Sequence, residues 1–200
     1  MLTALALAGL LAACSSAPAS PSGGSGSPGT NPAGTSPAPT ETGAAAAENG
    51  GGEAPATRFV SSRNHYRVDA PGAMTEGSDG IAKASHGLES LQIEVLTGSA
   101  AADVSAYAKS DLTTLRSTPG FSLKSGPGSV SLSAASSAQK TVYTANGPNN
   151  PVTGKPQTFV TVRYYVPRSS STMAVLTYSI VLDQYDPQGA DDVANTFAWT

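Results

Sequence analysis

Hydrophobic and polar residues alternate strictly along Leu91-Gln92-Ile93-Glu94-Val95, which gives an extended segment one apolar and one polar face. That pattern predicts a half-buried β-strand. Residues 81–86 predict another strand, with Gly87-Leu88-Glu89-Ser90 as the hairpin turn between the two. Upstream, Tyr66-Arg67-Val68 before Asp69-Ala70-Pro71-Gly72 predicts a short strand stopped by a Pro-Gly turn. The period then changes. Val104, Tyr107, Ala108, Leu112 and Leu115 recur at helical spacing over residues 103–116. An amphipathic helix is expected there, capped by Asp103 or by Ser99 one turn earlier, and stopped at Pro119-Gly120.

Three further strands are predicted. Residues 138–143 form the weakest, bounded by the turn-rich segment Asn146-Gly147-Pro148-Asn149-Asn150-Pro151. Residues 157–166 put Val160, Val162, Tyr164 and Val166 on one face, and Phe159, Thr161, Arg163 and Tyr165 on the other. Residues 173–182 are almost continuously apolar, which suits a central strand covered on both faces. The loop Pro167-Arg168-Ser169-Ser170-Ser171 is too short for a crossover helix, so these last two strands should pair antiparallel. Asp186-Pro187 then starts a helix, with proline at the first helical position. Its apolar stripe of Ala190, Val193, Ala194 and Phe197 runs to the end of the chain at Trp199. The class expected is α+β, a central antiparallel sheet flanked by helices.

The N-terminal part obeys neither period. Residues 2–11 are apolar over a length suited to a signal peptide and well short of the roughly 20 residues a membrane-spanning helix needs. Small residues follow, and then Cys14, the only cysteine in the chain. Residues 15–57 contain no aromatic residue and no Val, Ile, Leu or Met, and are rich in Ser, Pro, Gly, Ala and Thr. Such a segment has no apolar surface to offset the entropy cost of ordering, so a disordered linker is expected. Its typical span is roughly 35–40 Å, at ~5–6 Å times the square root of its length. The organisation expected is a signal peptide over 1–13, a modified cysteine and linker over 14–57, and one folded domain over 58–200.

Charge sharpens this division. All 11 Lys and Arg lie in the domain, whereas three of the 14 acidic residues (Glu41, Glu48, Glu53) lie in the linker. The domain is therefore formally neutral and the net charge of −3 belongs to the tether. A nucleic-acid partner, which needs a clustered basic surface, is not expected.

Leu11-Ala12-Ala13-Cys14 resembles the lipobox of bacterial lipoproteins. That resemblance implies cleavage before Cys14, a diacylglyceryl group on its sulfur, and a protein held at the extracytoplasmic face of the cell membrane. Two acyl chains would anchor it stably, where one chain binds only marginally. The domain resembles the Mog1/PsbP-like family, α/β/α sandwiches found in actinobacterial lipoproteins similar to the mycobacterial LpqN group. The resemblance is carried by Tyr66-Arg67-Val68-Asp69-Ala70-Pro71, by Arg163-Tyr164-Tyr165 with its partner Tyr178, and by Asp192-Val193-Ala194-Asn195-Thr196-Phe197. It implies a non-enzymatic binding or accessory role, toward an envelope protein or a small ligand, without a cofactor.

Candidate chemistry is sparse. His65 and His86 are the only histidines, and two histidines this far apart give no metal-ligand spacing. No G-x-S-x-G nucleophile elbow occurs in the domain. Ser137-Ala138-Gln139-Lys140 spells S-x-x-K without that motif's companions, and Gly126-Pro127-Gly128 is too short to cradle a phosphate. Arg163, Tyr165 and Arg168, with Tyr143 beside them, are the candidate partner-binding residues, because arginine and tyrosine combine contact area with hydrogen bonding. The competing reading packs Tyr165 under a helix. Other functions compatible with the sequence are a tethered hydrolase with a dispersed Ser/His site, and a structural or adhesive surface protein.

Overall fold

The computed structural model describes residues 56–150 and 152–200, which form ten β-strands and two α-helices. The expected signal peptide, Cys14 and nearly all of the expected linker lie outside the described residues. The strands are β1 (Ala56–Ser61), β2 (Tyr66–Pro71), β3 (Met74–Glu76), β4 (Ala82–His86) and β5 (Glu89–Thr97). After helix α1 (Val104–Leu115) come β6 (Ser122–Leu132), β7 (Ala135–Asn146), β8 (Thr158–Ser169) and β9 (Thr172–Val181). Helix α2 (Pro187–Thr196) and β10 (Ala198–Trp199) close the chain.

Seven strands make one antiparallel sheet in the order β3-β4-β5-β9-β8-β7-β6, and β1-β2-β10 make a second. Thus β6 to β9 form a four-stranded meander where three strands were expected, and β2 belongs to a separate small sheet. The α+β class holds, with a small sheet added to one layer.

Local chemistry explains the elements that matched. Asp103 caps α1, its carboxylate accepting a hydrogen bond from the Ala106 amide at 2.9 Å. Asp186 caps α2 in the same way toward Gln188 and Gly189, ahead of Pro187. The C-terminal helix is shorter than expected, ending at Thr196. Phe197 is extended, and Ala198 and Trp199 pair with Arg67 and Tyr66 instead. The apolar stripe there serves a strand, because Trp199 buries its ring against Phe197 and Tyr66 only from an extended backbone.

The large sheet is covered on both faces. On one, Val160, Val162, Tyr164, Val166, Leu176, Leu91 and Ile93 meet the small sheet and α2 in the main core. The small sheet lies over β4 and β5. Helix α2 lies toward β7 and β8, with Asp191 accepting hydrogen bonds from Lys140 and Tyr164 at 2.5 Å each. On the opposite face α1 lays Ala108, Val104 and Tyr107 over Tyr165 and Val175.

Three phenols are sealed inside these layers. Tyr66, Tyr164 and Tyr165 are fully or almost fully buried, and burial pushes the pKa of each well above that of an exposed tyrosine, with Asp191 and Asp111 adding to it at Tyr164 and Tyr165. A raised folded-state pKa gives stability that is complete below the unfolded value, about 10, and is lost as pH rises above it. The unfolding free energy should therefore hold to about pH 9 and then fall, by roughly 1.4 kcal/mol per pH unit for each such tyrosine. Ultraviolet titration together with urea melts at stepped pH tests this; full phenol ionisation in a still-folded domain would refute it.

Candidate functional site: a groove beyond the end of helix α1

Helix α1 covers only part of its sheet face. Its last turn sets Leu115 against Tyr143 and Ala145, with Phe121 closing the contact. Beyond that point the sheet lies open, and a groove of about 410 Å³ forms over it. That volume falls in the range of small-ligand sites.

Strand register builds the floor. Ser90, Ser179, Thr161 and Tyr143 stand in one row across β5, β9, β8 and β7. The next row contributes Phe159 and Ala145. One wall is the β4–β5 hairpin with Leu88, and the other is Asn146-Gly147-Pro148, with Thr118 at the helix end. Gly147 is required where it stands, because a Cβ at this position would overlap the Phe159 ring.

The groove is lined by hydroxyls and rings. The Thr161 and Ser179 hydroxyls lie 3.0 Å apart and share a hydrogen bond. Burial raises the Tyr143 phenol above its ordinary pKa, so it stays neutral and able to donate. Glu89 is the one carboxylate among the lining residues, and its side chain accepts from the Tyr178 hydroxyl at 2.7 Å. Such a lining suits a neutral ligand or segment with both apolar and hydrogen-bonding edges. Ser179 is paired with Thr161 and not with a base, and His86 lies outside the lining.

The residues singled out in the sequence fall in three places. Tyr143 is in the groove floor. Arg163 and Tyr165 lie further along β8 on the same face, under α1. Tyr165 has no exposed surface and donates its hydroxyl to Asp111 at 2.6 Å, with Tyr107 edge-on to its ring. The Arg163 guanidinium pairs with the same Asp111 at 3.1 Å, and its Nε has no hydrogen-bond partner. This is the buried arrangement that competed with the partner-binding reading. Arg168 is exposed, stacks over Trp199 at 5.3 Å and donates to the Thr200 carbonyl at 3.1 Å.

His65 and His86 are both exposed, His65 with a positive φ of 55°. Among the described residues no group of three or more His, Cys, Asp and Glu is placed to hold a metal ion. Ser137 and Lys140 fall on opposite faces of β7, and Lys140 is engaged by Asp191. Gly126-Pro127-Gly128 lies within β6, not in a loop. Phe159, Thr161, Ser179 and Ser90 were not singled out in the sequence. Their one signal is that Thr161 and Ser179 are polar interruptions in strands otherwise suited to burial on both faces.

No protein-family model matches the chain, and no curated protein does. Among solved structures it is similar to a protein from Bacteroides thetaiotaomicron, with a TM-score of 0.46 and 10% identity over 73% of this chain. The chain spans 49% of that protein's length. It is similar to the Ran-binding protein Mog1p of Saccharomyces cerevisiae, with a TM-score of 0.45 and 12% identity over 72% of this chain and 95% of the other. It is also similar to LpqN of Mycobacterium tuberculosis, described as involved in cell envelope biogenesis, with a TM-score of 0.41 and 15% identity over 76% of this chain and 87% of the other.

Proposed function

We propose that this chain is a lipoprotein of the bacterial cell envelope, anchored through Cys14, whose domain binds an envelope protein or small ligand without catalysing a reaction. The groove carries this reading: it is already formed, of ligand size, and lined by paired hydroxyls and aromatic edges. The lipobox-like Leu11-Ala12-Ala13-Cys14 and the polar tether support the anchor. Membership of the Mog1/PsbP-like family belongs to the same proposal and rests on the sequence segments quoted above. Arg168, exposed at a sheet end away from the groove, remains a proposed partner contact, while Arg163 and Tyr165 lie on the opposite face of the large sheet, beneath α1.

Two measurements on intact cells test it. Radiolabelled palmitate is expected on the wild-type chain and not on Cys14→Ser, with the variant migrating as the larger, uncleaved precursor. A photo-crosslinking residue at Phe159 is expected to capture one discrete envelope species. Gly147→Ala, which forces the Phe159 ring off its seat, should cut that capture roughly tenfold, the loss of about 1.4 kcal/mol at an interface hot spot. An unlabelled Cys14 sinks the anchor; capture that is absent, or unchanged by Gly147→Ala, sinks the binding site.

A further inference from the structure

The small sheet turns one face into the core and leaves the other open. The pairs Arg58 with Asp69 and Val60 with Arg67 put these four side chains together on the outer side. Phe59, Tyr66, Val68 and Trp199 point inward. Val60 is 59% exposed, and Arg58 and Arg67 are exposed on either side of it. Arg58 is held by Asp69 through two N–H donors, Nε at 2.9 Å and Nη2 at 3.1 Å, so it must exchange that carboxylate to bind a phosphate, whereas Arg67 need not. Arg63 reaches out of the β1–β2 turn to the Ser78 carbonyl, and Arg168 flanks the far side over Trp199.

Asp69 and the exposed Asp79, next to the carbonyls that hold Arg63, partly offset these arginines, while the exposed Asp183, Asp186 and Asp192 lie between the end of β9 and α2. Position is the second observation. The tether enters the domain at Ala56, the first residue of β1, which is the edge of this same sheet. The groove lies on the opposite face of the large sheet.

We propose that the outer face of β1 and β2 is a docking surface for anionic phospholipid, which lays the domain on the membrane with its groove turned away. Guanidinium groups bind phosphate through paired N–H donors, and the exposed valine between them suits the apolar boundary of the headgroup layer. The proposal rests on the anchored reading only in bringing a membrane within reach of a tether of roughly 35–40 Å. Anchoring keeps the local lipid concentration high, so weak contacts at two or three arginines are sufficient.

The test uses residues 14–200, the form left by the expected cleavage, carrying Cys14→Ser so that neither an acyl group nor the apolar residues 2–11 contribute. Sedimentation with vesicles of phosphatidylcholine plus phosphatidylglycerol is expected, and vesicles of phosphatidylcholine alone should retain little. Added salt should release the protein, because these charges are exposed. The double variant Arg58→Glu/Arg67→Glu should bind the anionic vesicles at least tenfold more weakly, since each arginine near such a surface is worth roughly fivefold. An unchanged thermal midpoint shows that variant to be folded. Val60→Asp, which leaves both arginines in place, is a second variant expected to weaken binding.

Equal binding by the double variant, or none by the parent, overturns the proposal. Retention on heparin with no vesicle binding overturns it in favour of a soluble polyanion. Vesicle binding by this face together with an unlabelled Cys14 in cells would refute the anchor alone, so the two failures remain distinct.

Discussion

Replacing Asp111 with alanine is expected to cost the domain about 3–5 kcal/mol, the largest loss from any single polar side chain under α1. One carboxylate serves two partners there, accepting from the Tyr165 hydroxyl at 2.6 Å and pairing with Arg163 at 3.1 Å. The side chains of Arg163 and Asp111 are only 15% and 12% exposed. Removing Asp111 leaves a guanidinium with no counter-charge and a phenol with no acceptor, in a site where the Arg163 Nε is already without a partner. Desolvation makes the loss asymmetric. The double variant Asp111→Leu/Arg163→Met, which removes both charges but still leaves the Tyr165 hydroxyl without its acceptor, should recover part of the stability. Urea melts of the three proteins decide the matter: a loss below about 1 kcal/mol for Asp111→Ala would mean that the pair behaves as an exposed surface bridge.

Phe197→Ala is the second large effect, again about 3–5 kcal/mol. The ring is fully buried, stacked on Tyr66 at a centroid distance of 5.4 Å and edge-on to Trp199 at 5.1 Å. Tyr66 in turn meets Phe59 on β1 at 6.1 Å. Phe197 thus joins all three strands of the small sheet to the main core. Its loss should open this sheet ahead of the large one, since β10 pairs with β2 over only two residues. Hydrogen exchange resolves the order: the amides of β1 and β2 should lose protection while those of β8 and β9 keep theirs. Uniform loss across both sheets would refute a local role. Phe197→Leu keeps most of the volume and should cost less than half as much.

How much of this was legible in the sequence depends on how each element is buried. Strands β8 and β9 were readable because sheet burial on both faces leaves long apolar or alternating runs, and α1 because its stripe keeps one period. The start of α2 was readable from Asp186-Pro187, but its end was not, because Phe197 and Trp199 continue the apolar spacing while leaving the helix. Strand β6 was invisible. It is an edge strand, mostly exposed, whose apolar residues Leu123, Val130 and Leu132 are interrupted by register shifts around Gly126-Pro127-Gly128. Strand β1 was not read as a strand: its first two residues, Ala56 and Thr57, were assigned to the linker and the rest to the domain without an element, because only Phe59 and Val60 break its polar composition.

The groove was illegible for a different reason. Ser90, Tyr143, Thr161 and Ser179 become neighbours only through strand register, which depends on turns the sequence specifies weakly. Arg163 and Tyr165 were singled out because arginine and tyrosine mark interfaces. The same two residue types make a good buried bridge when a carboxylate from a helix faces them, and Asp111 lies too far away in sequence to signal it.

The irregular edge strand also bears on how copies of this protein behave beside one another. A seven-stranded sheet ending in a straight, fully hydrogen-bonding rim would be a template on which a second chain could continue the ladder. Along β6, Pro127 has no amide to offer, Lys124 would have to shed its hydration, and the shifted register spoils the spacing that a newcomer must match. Strand-to-strand continuation of the ladder is thereby disfavoured at this rim.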